Sequence, residues 1–474
     1  MTRTPLVGLA LVAALLAAVP AGAAGFDDDF TGATLRLDLF HAGTAVEEHL
    51  ALDRARVEGP WPGSRTRLVD DTGFGRYLLE VVDAASNRLL YSRGFASVYG
   101  EWETTGEALA GTWRVIPEAV RFPEPRRSVQ VRLRKRGADG AFREIWTTVV
   151  DPASRFVDRA PVPPRAVWTL HEGGDPARKV DLLILGDGYA AAEVDAFHRD
   201  AEAAAADLFS VEPYASRKGD FNVRAIDTPA PASGISRPRA GAFRETPLGT
   251  RYNTLDSERY VLTLDDRAWR DVAAAAPYDA VLILVNSRQY GGGGIFNLYS
   301  TAAAGSAFRR YLVIHEFGHA FAGLGDEYYT SDVAYEDPGA LVEPWEANVT
   351  ALDDPAHLKW AHLATPGTPV PTPWDKEAFE ELSLAIQERR RALRAAGAPE
   401  EELEALFREE RETMTPLLGG QRHAGQVGAF EGAMYQARGL YRPAADCIMF
   451  TRDEVGFCPV CRAAIERVID LYAR

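Results

Sequence analysis

From Phe26 to about Thr148 the apolar positions recur mostly in alternation. Leu35, Leu37 and Leu39 alternate with Arg36 and Asp38, and Val129, Val131 and Leu133 alternate with Gln130, Arg132 and Arg134. That period predicts strands with one buried and one wet face. Asp139-Gly140 separates Leu133 from the strand-like run Ile145–Val149 and predicts a hairpin. Several such strands with few helical stretches predict a β-sandwich over residues 25–151. His41 and His49 stand alone within it and read as structural. Residues 152–165, with Pro152, Pro161, Pro163 and Pro164, read as a linker.

The texture then changes. Val180–Leu185 and Ala280–Val285 are nearly continuous apolar runs, and a helical pattern follows the first as far as Phe209. Buried strands alternating with helices predict an α/β layer structure over 166–474. Gly186-Asp187-Gly188 lacks both a further fingerprint glycine and a phosphate-loop lysine, so it reads as a tight strand-to-helix turn. Phe308, Tyr311, Leu312, Val313, Ile314, Phe317 and Phe321 are apolar nearly all round, which predicts a central buried helix with Ser306 as its N-cap. Residues 375–414 are charged and helical. Leu382, Ile386, Leu393, Leu403 and Leu406-Phe407 give two amphipathic stretches folded at Gly397-Ala398-Pro399, an insertion whose charge is a solvated face.

The 474-residue chain carries a net charge of −16, which argues against nucleic acid and anionic membrane surfaces as partners. Arg3, the apolar run Leu6 to Val19 and Ala21-Gly22-Ala23 form a signal-peptide pattern over residues 1–24. Cleavage predicts a secreted or periplasmic protein without a membrane span. The three cysteines, Cys447, Cys458 and Cys461, lie near the C-terminus. Export makes them disulfide candidates, and the odd number leaves one thiol over.

The chemistry is carried by His315-Glu316-Phe317-Gly318-His319. Histidines four apart on a helix share a face and reach one zinc ion, and the intervening glutamate sits beside a water that the metal activates. In a dry core two histidines and a glutamate are costly unless something binds them. A catalytic zinc takes three protein ligands and leaves one position open. In the pattern HExxHxxGxxH the third ligand follows a glycine that turns the chain. Here that glycine is Gly323, one place later, and the Gly323-x-x-Asp326 step makes Asp326 the first candidate and Glu327 the runner-up. Gly291 to Gly294 precede the helix, and Gly293, Gly294, Ile295 and Phe296 form a candidate edge for pairing with an extended substrate. Tyr328, Tyr329, Tyr435 and Tyr441 are candidate oxyanion partners.

HEFGHAFAGLGDEY resembles the motif of the IgA-peptidase family of metallopeptidases, peptidase family M64. Leu185–Tyr189, Glu343–Thr350, Gly428–Ala433, Gly439–Pro443, Cys447–Met449 and Phe457–Cys461 resemble that family's catalytic domain as well. The segment from Phe26 is similar to the β-rich domain that often precedes it. The resemblance implies a multidomain secreted zinc endopeptidase with a metzincin-like catalytic domain. It implies one zinc per chain, a protein or peptide substrate, Glu316 as general base, and Met449 as the methionine of a Met-turn beneath the metal. It carries no particular substrate, IgA included. Two other readings compete: a surface- or polysaccharide-binding protein with a relic peptidase domain, and a zinc amidase acting on cell-wall peptides. The intact His-Glu-His set argues against a relic.

Overall fold

The computed structural model describes residues 25–331 and 342–473. The signal-peptide pattern lies outside the described residues. Among these residues no helix is long and apolar enough to cross a membrane.

The N-terminal domain is a pair of four-stranded sheets. One runs Arg114–Pro125, Phe30–Gly43, Glu48–Pro60, Val157–Asp158; the other runs Leu89–Phe95, Tyr77–Asp83, Val129–Arg136, Phe142–Val150. Leu35, Leu37 and Phe122 from the first and Leu79, Val81, Val131 and Leu133 from the second form one core between them. The hairpin at Gly140 is present, with Arg136 opposite Phe142 and Gly140 at φ +75°. Two expectations need correction. Gln130, Arg132 and Arg134 are half-buried on a partly wet face, but Arg36 and Asp38 are buried outright. Arg36 bonds Asp38 at 2.7 Å and Glu58 at 2.7 Å, and also pairs with Asp271 of the C-terminal half. Arg270 Nη2 donates to the Ala119 carbonyl at 3.2 Å, and the Arg121 guanidinium lies 3.5 Å from the Tyr278 ring centre. Alternation reports that two faces differ, not that the polar one is wet; here it is covered and its charges are paired. The presumed linker also contributes a strand, since Val157 pairs beside Ala55 and buries its side chain in the sandwich.

The C-terminal half is built on a six-stranded sheet. Its order is Gly292–Ile295, Tyr299–Ala303, Ala280–Val285, Val180–Asp187, Phe221–Ile226, Val167–His171. The four middle strands are parallel and the two edge strands antiparallel. Val180–Asp187 is buried at every position, as a parallel strand covered on both faces must be. Asp187 is a structural carboxylate: it accepts from Thr246, from the Leu248 amide and from Thr250, which holds the turn after the strand. Helices Val194–Leu208 and Arg309–Ala322 pack side by side on the sheet, and helix Pro459–Tyr472 packs against the second of them. Helices Lys376–Ala395 and Glu400–Gly419 form the expected hairpin, turning at Gly397 with φ +63°. Ile386, Leu403, Leu406 and Phe407 face inward, Leu382 and Leu393 are half-buried, and Phe407 packs edge-on against Tyr290 and Phe308. The sandwich reaches the edge of the large sheet: the Ala96 amide donates to the Phe296 carbonyl at 2.9 Å, and Asn297 Nδ2 to the Gly94 carbonyl at 3.0 Å.

Candidate metal centre

Helix Arg309–Ala322 begins three residues after Ser306, whose hydroxyl instead accepts from the Phe308 amide in the approach turn. His315 and His319 fall one turn apart, with ring centres 4.6 Å from each other. Gly318 lies between them because a Cβ there would meet Met449 Sδ at 3.1 Å. The helix stops at Gly323, which takes φ +60°, and the Trp345 ring fills the space a side chain would need. Asn348 then clamps Gly325, accepting from its amide at 2.8 Å and donating to its carbonyl at 2.9 Å. The chain is thereby led back toward the helix.

Three donor atoms converge. His315 Nε2 and His319 Nε2 are 3.0 Å apart, and Asp326 Oδ1 is 3.2 Å from the first and 3.1 Å from the second. Tetrahedral zinc with bonds of about 2.0–2.2 Å sets its ligand atoms roughly 3.3–3.5 Å apart, so the triangle fits the ion after a slight expansion. Both Nδ1 atoms face backbone carbonyls, His315 that of Ile448 at 3.0 Å and His319 that of Leu324 at 2.5 Å. These bonds put the ring protons on Nδ1 and direct both Nε2 lone pairs into the triangle. Although burial opposes it, Asp326 raises His319 to about 9; burial likewise opposes, but the two histidines hold Asp326 well below the usual carboxylate range. The triangle therefore favours positive charge. Glu316 presents a carboxylate oxygen within 4.8 Å of a ring nitrogen of each histidine, and burial pushes it upward against the pull of the histidines.

Glu327, the runner-up, points elsewhere. It is fully buried, accepts from Asn348 at 2.9 Å and lies 3.3 Å from Cys461 Sγ. Met449 is buried, and its carbonyl accepts from the Glu327 amide at 2.8 Å. Cys447, Cys458 and Cys461 are buried thiols, with Cys447 and Cys461 sulfurs 3.9 Å apart.

The centre lies in an open cleft lined by Gly292, Gly294, Phe296, Tyr328 and Tyr435, among others. The glycine run brings the edge strand onto the helix: a Cβ on Gly294 would sit 2.2 Å from the Glu316 carbonyl and 2.8 Å from His319 Cβ. The Gly291 carbonyl accepts from the Ala303 amide, so alternate residues, Gly292 and Gly294, turn their backbone groups outward. Gly292 is met there by Arg259 and Val261, and Phe296 by Ala96. The stretch facing the cleft is thus centred on Gly294 and is shorter than the sequence suggests. Gly293 turns toward the ring of Tyr260, and Ile295 pairs with Tyr299.

Of the four tyrosines, Tyr328 and Tyr435 line the cleft. Tyr435 Oη donates to Asp326 Oδ2, and Tyr328 Oη accepts from Arg259 at 2.8 Å. Tyr329 packs on Gly432 and Phe379, and Tyr441 pairs with Thr350 through the backbone. Tyr435 is carried by a hairpin tip, Met434-Tyr435, with φ of +44° and +65°. Both tip amides are pinned, to the Asp326 carbonyl at 2.9 Å and the Tyr328 carbonyl at 3.1 Å. Sequence reasoning missed this tip and Arg259. Tight hairpins usually announce themselves with Asn-Gly or Asp-Gly, and Met-Tyr carries no such signal.

Two family models match the chain. The one described as IgA Peptidase M64 covers residues 168–469, and Peptidase M64 N-terminus covers residues 25–147. The first spans more than half of the chain, which therefore belongs to this peptidase family and has its two-domain architecture. No curated protein matches it.

Proposed function

We propose that this M64-family peptidase is an exported, zinc-dependent endopeptidase with a metzincin-like catalytic domain. The observation that carries the reading is the triangle of His315 Nε2, His319 Nε2 and Asp326 Oδ1, with sides of 3.0–3.2 Å and Glu316 beside it. Met449 beneath Gly318 supports the metzincin-like comparison. His315, His319 and Asp326 would hold the ion, and when bound it would acidify a water and polarise the scissile carbonyl. Glu316 takes the proton as the water attacks, then delivers it to the leaving amine. Burial raises Glu316 toward the range where both transfers are efficient. Tyr435 holds Asp326 and lines the cleft, and it would serve as an oxyanion donor by turning its hydroxyl from Asp326 toward the substrate. Gly294 offers its outward backbone groups to an extended peptide, which favours a peptide backbone over other amides.

The test is cleavage of a mixed peptide library by the full chain, with and without a chelator, beside Glu316→Ala. Zinc-restorable cleavage by the parent, and a variant that keeps its fold and zinc but loses turnover, is the expected result. Full activity in metal-free protein would sink the reading.

A further inference from the structure

The second convergence of ligand atoms lies behind the first. Cys447, Cys458, Cys461 and Glu327 each offer one donor atom, and the four atoms lie within 4.8 Å of one another. They come from three separate pieces of chain. Glu327 follows Asp326, and Cys447 precedes Ile448 and Met449. Cys458 caps helix Pro459–Tyr472, accepting from the Cys461 amide, and Cys461 lies in its first turn. The spacing Cys458-Pro459-Val460-Cys461 is the C-x-x-C of many zinc sites.

We propose that these four side chains bind a second, structural zinc ion, in addition to the one the histidines would hold. Three observations carry this. The first is distance. Cys447 Sγ is 3.9 Å from Cys461 Sγ, and Cys461 Sγ is 3.3 Å from Glu327 Oε1. A disulfide needs about 2.05 Å, whereas tetrahedral zinc with bonds of about 2.3 Å to sulfur and 2.0–2.2 Å to oxygen separates such pairs by roughly 3.5–3.8 Å. The second is enclosure. Cys447, Cys461 and Glu327 are 0% exposed and Cys458 6%, which is the closed environment of a structural rather than a catalytic ion. The third is an unmet need. Glu327 Oε2 is buried with no hydrogen-bond partner, although Oε1 accepts from Asn348. A buried carboxyl oxygen without a partner is costly, and a bound cation would meet it.

The surroundings fit thiolate ligands. The Cys458 amide points at Cys447 Sγ at 3.3 Å and the Cys461 amide at Cys458 Sγ at 3.5 Å, as outer donors do in thiolate sites. Arg442 is a buried cation that acts on Glu327, so part of the ligand charge is balanced by protein.

The consequence is positional. The Glu327 amide bonds the Met449 carbonyl, and His315 Nδ1 faces the carbonyl of Ile448, the neighbour of Cys447. One ion would therefore tie together the segment that carries Asp326 and the loop that orients His315.

The test uses the full chain. Metal analysis of the purified protein should return two zinc ions per chain, and His315→Ala/His319→Ala should still hold one. Cobalt exchanged into either protein should give the near-ultraviolet thiolate-to-metal charge-transfer absorption. No cysteine lies in the histidine triangle, so this signal reports the second site alone. Cys458→Ser should lose it. The measurements on the parent and the double-histidine variant decide the matter even if Cys458→Ser does not fold. A single zinc that disappears with the histidines and no thiolate absorption would overturn the proposal, as would a disulfide between any two of the cysteines. Because the double variant lacks the peptidase site, failure of one reading is distinguishable from failure of the other.

Discussion

Asp326→Ala and Glu327→Ala delete neighbouring carboxylates of nearly equal chemistry, and the structure gives them opposite consequences. Asp326 Oδ1 supplies two of the three sides of the histidine triangle, 3.2 and 3.1 Å long. Without it only two nitrogens 3.0 Å apart remain. Loss of an outer partner in a metal site costs roughly 10–100-fold in affinity. Loss of a direct ligand should exceed that, so Asp326→Ala is expected to weaken the histidine-bound ion by more than about 100-fold, or about 2.7 kcal/mol. Glu327→Ala removes a carboxylate directed at Cys461 and Asn348 and keeps the backbone bond from residue 327 to Met449. Its effect on the histidine-bound ion is indirect, through the backbone it shares with Asp326, and should stay within the roughly 10–100-fold of an outer-shell change. Competition with a chromophoric chelator at one pH measures both. The histidine-bound ion is identified as the one missing from His315→Ala/His319→Ala. If Glu327→Ala released that ion as readily as Asp326→Ala, the triangle would not be the metal site and the argument from its geometry would fail.

Tyr435→Phe removes the donor behind Asp326 Oδ2 and should lower zinc affinity at the histidines by about 10–100-fold with the fold intact; unchanged affinity in the chelator assay would show that the contact does not support the ligand. Gly294→Ala forces a Cβ to within 2.2 Å of the Glu316 carbonyl, so strand and helix must separate; a loss of about 1–3 kcal/mol, typical of overpacking, should appear as a lower thermal midpoint together with reduced zinc content, and a parental midpoint would contradict the close approach. His41 lies between Glu118 and Glu48 at 2.9 and 2.8 Å; burial opposes its protonation, but Glu118 and then Glu48 raise it to about 9. Its folded pKa is above its unfolded value near 6.5, so its contribution is complete below pH 6.5 and is lost as pH rises to 9, on the order of 3 kcal/mol. Thermal unfolding of the N-terminal domain should therefore weaken over that window in the parent and much less in His41→Gln; equal pH dependence in both would refute the assignment.

Helix Arg309–Ala322 and the turn at Gly323 were legible because the chemistry imposes both a helical spacing and a chain reversal. The apolar run Val180–Leu185 was equally clear, since a strand covered on both faces leaves no polar positions to confuse the period. The polar face of the sandwich was misread as wet. Arg36 and Asp38 carry the alternation of an exposed edge, and residues more than 200 positions further along the chain, Arg267 on Asp38 and Asp271 on Arg36, help to cover them. The tip Met434-Tyr435 was invisible for the opposite reason. Its positive φ angles are held by bonds to the Asp326 and Tyr328 carbonyls rather than by residues that favour them. Tertiary contacts decide both cases, and no local pattern encodes them.

Asp326 and Glu327 show where the limit falls most sharply. Read as letters, the two acids are equivalent candidates one residue apart, and spacing alone ranks them weakly. After Gly325 the chain is no longer helical, and successive side chains leave it on opposite sides. One carboxylate therefore turns to the histidines and the other to the cysteines. The step from Gly323 orders the pair, but only the cysteine cluster explains why a second acid follows at once. A buried glutamate with an unpartnered oxygen makes no sense as a spare ligand of the first centre. It does make sense if this dipeptide joins two centres, so that the ion held by Glu327 would fix the backbone on which Asp326 depends.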